Sequence, residues 1–210
     1  MGVLEDISEQ LQKGKKKQVV ALCQQALDEG IEAGRILNEG LMPGMDVIGV
    51  KFKANEIFVP QVLVAARAMN AGAELLKPYL SEGENTKKGK VCIGTVKGDL
   101  HDIGKNLVIM MLEGKGFEVI DLGVDVAPET FVKTAIEENC DIIGCSALLT
   151  TTMPVMADVV KAAEEAGIRD RVKIMVGGAP VTEEFAMSVG ADAFTKDATS
   201  AAEKALELIA

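Results

Sequence analysis

At 210 residues, with 48% hydrophobic and 26% charged residues, the chain has the composition of a soluble globular protein of one or two domains. No apolar run approaches the roughly 20 residues that span a bilayer, and the N-terminal stretch MGVLEDISEQLQKGKKKQ has no apolar signal core, so the expected location is cytoplasmic. A net charge of -10 argues against a nucleic-acid partner, because the one basic run, Lys15 to Lys17, is too short to make a phosphate-binding face.

From about residue 3 to 80 the apolar residues recur at helical spacing, as in VVALCQQAL at 19–27, with breaks expected at Gly14, Gly30, Gly40 and Asn55. The pattern predicts a bundle of four or five helices. Pro43 and Pro60 fit first-turn positions, and the run 61–80 after Pro60 predicts the longest helix. The polar stretch SEGENTKKGK at 81–90 reads as the boundary between a helical domain, 1–85, and a second domain, 86–210.

Beyond the boundary, short apolar runs alternate with helical stretches: KVCIGTV, FEVIDLG, DIIGCSA, KIMVGGA and ADAFTK, each followed by a helix pattern. Five such units predict an α/β domain, a flavodoxin/Rossmann-like five-stranded parallel sheet with helices on both faces and strand order 2-1-3-4-5. The four cysteines, Cys23, Cys92, Cys140 and Cys145, show no C-x-x-C spacing and read as packing residues.

Ligands of such sheets bind beyond the carboxyl ends of the strands, at the switch point between the first and third. Three unusual turns fall there: GDLHDIG at 98–104, SALLTTT at 146–152 and GGAP at 177–180. The first carries His101, the only histidine of the chain. A loop histidine with a satisfied hydrogen bond is the plain reading of one such residue, but its acidic neighbours Asp99 and Asp102 and its ligand-facing turn favour a site.

Known chemistries using this loop mostly fail on residue content. A hydrolytic metal site built on LHDIGK needs several histidines, and Ser146 lacks the second glycine of a nucleophile elbow. A phosphoacceptor receiver would want aspartate where Cys145-Ser146 ends the third strand, and no G-x-G-x-x-G offers a dinucleotide cradle. A corrinoid fits, because its macrocycle supplies four nitrogens to cobalt and the protein need add only an axial imidazole.

Residues 90–210 resemble the cobalamin-binding domain that carries D-x-H-x-x-G, then S-x-L, then G-G. Here these read Asp99-Leu100-His101-Asp102-Ile103-Gly104, Ser146-Ala147-Leu148 and Gly177-Gly178. Residues 1–85, above all EGLMPGMDVIGVKFKANEIFVPQVLVAARAMNAG, resemble the helical cap that accompanies this domain in methionine synthase and in the small corrinoid proteins of methanol, methylamine and methoxyaromatic methyltransferase systems.

The resemblance implies that His101 is the lower axial cobalt ligand of a base-off cobamide, with Asp99 accepting the other imidazole N–H and Thr152 supporting Asp99 where methionine synthase has serine. It implies cofactor contacts from Gly98, Leu100, Ile103, Gly104 and Thr150, from Ser146 and Leu148 lining a slot for the displaced nucleotide tail, and from Gly177 and Gly178, where a Cβ would meet that tail. Asp102 is grouped with this loop, although as a non-motif position it also reads as a helix-capping or solvated acid. In the cap, Phe52, Val59 and Val62 align with residues covering the upper face of the corrin; bundle core is the alternative for all three.

The implied function is methyl carriage between a substrate-specific corrinoid methyltransferase and a methylcorrinoid:acceptor methyltransferase using tetrahydrofolate or a thiol, with a reductive activase as a further partner. The chain would be a methyl-carrying subunit, not a stand-alone catalyst, and its cap would swing about the 81–90 segment. Alternatives are a passive cobamide store and a cobalamin-dependent regulator.

Overall fold

A computed structural model describes residues 2–80 and 88–210. Contacts divide the chain into two compact units, Met1–Thr86 with Gly114–Gly116, and Lys87–Glu113 with Phe117–Ala210. Most of the expected boundary segment, residues 81–87 of 81–90, lies outside the described residues.

The first unit is helical. Helices α1 (Val3–Gln12) and α2 (Lys16–Asp28) are separated at Gly14, and the chain turns again at Gly30; both glycines have positive φ. Next come α3 (Ala33–Arg35), a π-helical turn over Ile36–Leu41 and α4 (Met42–Lys53), then a turn at Asn55 with φ 59° and the long α5 (Val59–Leu76), closed by a 3₁₀ turn at Lys77–Tyr79.

Gly40 does not break the helix as expected. It lies buried inside the π turn, where a Cβ would stand 3.3 Å from Ile7 Cγ2. Small residues there allow close approach to α1, and Gly44, one turn on, faces the Ser8 carbonyl oxygen at 3.0 Å from an added Cβ. The π turn has a local cause: Pro43 has no N–H to donate and its ring crowds the preceding turn, so the helix widens just before it, with Met42 N–H reaching back to the Leu37 carbonyl.

The second unit is a five-stranded parallel sheet in the order β2-β1-β3-β4-β5, as the alternating pattern predicts. Its strands are β1 (Lys90–Val96), β2 (Glu118–Val126), β3 (Ile142–Ser146), β4 (Lys173–Gly177) and β5 (Ala193–Phe194). Between and after them run α6 (Ile103–Gly114), α7 (Pro128–Glu137), α8 (Val155–Glu165), α9 (Glu183–Ser188) and α10 (Ala198–Ile209). Every residue of β1 from Val91 to Val96 is buried, as befits a strand covered on both faces. Cys92, Cys140 and Cys145 pack with Phe131 of α7, Val159 of α8 and Ile174 of β4 in one cluster.

Only β2 outruns its expected end, continuing past Gly123 to Val126. Its register against β1 slips twice, between Ile93 and Gly94 and again between Gly94 and Val96, so β2 spends extra residues at its carboxyl end.

Candidate functional site

The loop after β1 is built around Asp99. Its carboxylate is fully buried, yet it accepts hydrogen bonds through both oxygens. Oδ1 takes the His101 backbone N–H at 3.1 Å and the His101 imidazole Nδ1 at 2.7 Å. Oδ2 takes the N–H groups of Leu148 and Leu149, at 2.8 and 3.1 Å, and the Thr152 hydroxyl at 2.8 Å. The β3 loop thus wraps the aspartate that steers the histidine.

Burial by itself pushes this carboxyl toward the neutral form. The hydrogen bonds from His101, the Leu148 N–H and Thr152 outweigh it and hold Asp99 well below the usual carboxylate range. An ionised carboxylate can only accept, so the imidazole nitrogen facing it carries the proton. In the neutral ring the lone pair therefore sits on Nε2. The His101 side chain is 51% exposed, which leaves Nε2 accessible from outside.

The two loops around Asp99 expose large apolar residues beside polar ones such as Asp102 and Thr150. Leu100 and Ile103 are 71% and 74% exposed, and Leu148 and Leu149, tied to the same aspartate, remain 44% and 40% exposed. Four large apolar side chains are therefore exposed on the two loops that Asp99 ties together.

The remaining candidates are placed as follows. Ser146, half-buried at the end of β3, is in register with Thr95 of β1 and Gly177 of β4. An added Cβ at Gly104 would meet no atom within 4 Å, and at Gly177 only the Thr195 carbonyl oxygen at 3.8 Å, so the protein's own packing requires glycine at neither position. Gly178 differs. At φ 133° its Cβ would overlap the Ala147 carbonyl oxygen, so this glycine answers to the backbone of the β3 loop and needs no ligand tail to explain it. Gly98 has φ 84°, a left-handed turn entering the loop.

Asp102 immediately precedes α6; its carbonyl accepts the Asn106 N–H at 2.8 Å and its side chain the Asn106 amide at 3.1 Å. Thr150 is exposed in the β3 loop. In the helical unit Phe52 and Val59 are half-buried at the end of α4 and the start of α5, while Val62 is fully buried and, as the structure stands, presents no surface to a ligand.

Sequence reasoning missed three contributors. Thr95, fully buried at the end of β1, donates its hydroxyl to the His101 carbonyl at 2.9 Å. Leu149 adds the second backbone N–H on Asp99. Lys105, with its side chain 1% exposed, bonds Asp121 and Asn106 at the start of α6. A polar residue inside the apolar stretch VCIGTV at 91–96 was the available signal for Thr95; nothing in the local pattern marks Leu149.

Among the described residues no group of three or more His, Cys, Asp or Glu is placed to hold a metal ion, and no helix is long and apolar enough to cross a membrane. Residues 89–206 match one family model described as a B12 binding domain, and residues 3–77 match a second. Dimethylamine corrinoid protein 1 of Methanosarcina acetivorans is 46% identical over 197 residues, 93% of this chain and 92% of that protein. The dimethylamine corrinoid protein of Methanosarcina barkeri is 44% identical over 209 residues, 99% of this chain and 98% of its own. Among solved structures, a chain of the methanol:cobalamin methyltransferase complex MtaBC from Methanosarcina barkeri superposes with a TM-score of 0.89 at 30% identity, covering 99% of this chain and 79% of that one. A cobalamin-binding protein from Desulfitobacterium hafniense DCB-2 gives 0.81 at 31%, covering 99% and 98%. With both halves matched in this way, the chain belongs to the corrinoid proteins built on B12 binding domains.

Proposed function

We propose that this chain carries methyl groups on a cobamide held base-off, with His101 Nε2 as its lower axial ligand. One observation carries the reading: a half-exposed imidazole is fixed through Nδ1 by a fully buried Asp99, which leaves its other nitrogen without a protein partner among the described hydrogen bonds. The residues fit a corrinoid in a second way, since the open space at Gly104 and Gly177 is volume that a Cβ would take from a ligand. Bound cobalt would supply the centre that accepts and releases the methyl group.

The work left to the protein is orientation of the ligating ring. Asp99 fixes the ring through its Nδ1–H and makes Nε2 a better electron donor, the usual effect of an acceptor behind a ligating histidine. Thr152 Oγ1, whose single proton lies between Asp99 Oδ2 and, at 2.9 Å, the Leu149 carbonyl, ties the carboxylate to the β3 loop. Ser146 and Leu148 would line the path of the displaced tail, Thr150 would contact the cofactor, and Phe52 and Val59 keep from the resemblance the role of shielding the group.

The dimethylamine corrinoid proteins among its relatives, and the similar chain of a methanol:cobalamin methyltransferase complex, support a methylated amine or methanol as the donor, delivered by a substrate-specific methyltransferase. A second methyltransferase, with a tetrahydrofolate or thiol acceptor, would collect the methyl group, and a reductive activase would restore oxidised cobalt. The helical domain, 1–85, and the cofactor domain, 86–210, divide the labour.

The test is reconstitution with a cobamide followed by electron paramagnetic resonance of the Co(II) form. Wild type should show superhyperfine splitting from one imidazole nitrogen, and His101→Ala should lose it. Identical spectra for the two would end the axial-ligand reading. A store is separated from a carrier by adding a purified dimethylamine-specific methyltransferase: a carrier becomes methylated when donor is present, whereas a store does not.

A further inference from the structure

The far side of the His101 loop is held by an element the motif does not include. Asp125, near the end of β2, sits at φ 55°, a left-handed conformation that aspartate tolerates but does not favour. It makes two bonds to the loop: its carboxylate Oδ1 accepts the Gly98 N–H at 2.7 Å, and its own N–H donates to the Asp99 carbonyl at 3.0 Å. Gly98, at φ 84°, turns its N–H toward that carboxylate.

This arrangement is what the two register slips produce. From Ile93↔Asp121 to Val96↔Val126, β1 advances three residues while β2 advances five, so β2 carries two residues more than the ladder needs. Gly123, at φ 83°, and Asp125 both lie in this stretch with left-handed backbone. A bulged strand re-aims its groups, and here Asp125 is directed at Gly98 and Asp99, the turn that carries the aspartate holding His101.

We propose that Asp125 is a positioning residue for histidine ligation. It anchors Gly98 and Asp99 from β2, while Leu148, Leu149 and Thr152 anchor the Asp99 carboxylate from β3, so the loop is fixed from both neighbouring strands. Without the β2 anchor, the Asp99 backbone is free to shift and the imidazole loses its set height above the sheet. Angular error in a ligating ring weakens its bond to a metal even when the ligand itself is intact, which is how groups behind a ligand come to matter. The proposal rests on the reading of His101 as cobalt ligand.

Three variants separate the roles. Asp125→Asn keeps an acceptor oxygen and tolerates the left-handed backbone; Asp125→Gly keeps the backbone and removes the carboxylate; Asp125→Ala removes the carboxylate and strains the backbone. In the cofactor-free protein, amide hydrogen exchange at Gly98 should quicken by about tenfold or more in Asp125→Gly and stay near wild type in Asp125→Asn, tracking loss and retention of one hydrogen bond. After loading with cobalamin and reduction to Co(II), the fraction of cobalt showing imidazole nitrogen splitting should fall in Asp125→Gly and Asp125→Ala and recover in Asp125→Asn. Unchanged Gly98 exchange and unchanged splitting in Asp125→Gly would overturn the proposal, as would an Asp125→Asn as impaired as Asp125→Gly. A wild-type protein without nitrogen splitting would overturn the ligation reading instead, and the Gly98 exchange data alone would then decide whether Asp125 holds the loop.

Discussion

Asp99 collects five hydrogen bonds from four residues while shut away from water, and this concentration decides how substitutions there behave. Asp99→Asn keeps the volume but replaces one accepting oxygen with an NH₂ group. Whichever way the amide turns, donors then face donors: either the imidazole Nδ1–H and His101 N–H, or the Leu148 and Leu149 N–H groups and the Thr152 hydroxyl. A stranded buried donor costs about 1–3 kcal/mol, so urea unfolding of the cofactor-free Asp99→Asn protein should show a loss of that size or more. Thr152→Val should cost about 1 kcal/mol, and Thr152→Ser, which keeps the oxygen, much less. Equal stability of Asp99→Asn and wild type would mean the carboxylate is not held as described. His101 and Asp99 were legible because their types and spacing carry the chemistry. The support from Thr95, Leu149 and Asp125 was not, because it comes through backbone groups or across strands, where residue identity gives little sign of it.

At the scale of elements, the strand order was legible from alternation alone, since buried parallel strands write themselves as short apolar runs between helices. The end of β2 was not. A bulge depends on how two strands pair, and neither strand's own pattern reports it; Gly123 read as a strand end when it is the first left-handed residue of a strand that continues. Gly40 was misread for a related reason: a glycine that ends a helix and one that admits a neighbouring helix look alike in sequence. The two uses predict different costs. Glycine to alanine in a helix gains about 1 kcal/mol of intrinsic propensity. At Gly40 the new methyl would press on Ile7 Cγ2, a side-chain atom that can yield, so Gly40→Ala should lie within about 1 kcal/mol of wild type. At Gly44 it would press on the Ser8 carbonyl oxygen at 3.0 Å, part of the backbone of α1, and overpacking of about 1–3 kcal/mol should exceed the propensity gain. Thermal melts of the two variants should therefore separate, with Gly44→Ala the lower; the reverse order would show that α1 yields more easily than Ile7.

For the whole molecule, the division of labour between the two units makes a strong demand on the second. All groups that hold His101 lie between Thr95 and Thr152, and the sheet that spaces them has its own cluster of buried residues, from Cys92 and Phe131 to Ile174 and Val181. None of the hydrogen bonds to Asp99 comes from the helical unit. A fragment of residues 88–210 should consequently fold cooperatively, bind a cobamide and, once reduced to Co(II), show the same imidazole nitrogen splitting as the full chain. If the proposed shielding by Phe52 and Val59 holds, the fragment should lack it. Reduced cobalt should then oxidise faster in the fragment than in the full chain, measured by stopped-flow absorbance in buffer of fixed oxygen content. The two readouts bear on different assignments. Loss of nitrogen splitting in a folded fragment would mean that the ligand geometry depends on the helical unit and that the site is not complete within 88–210. Retained splitting with equal oxidation rates would leave the ligation intact and remove the shielding role from Phe52 and Val59.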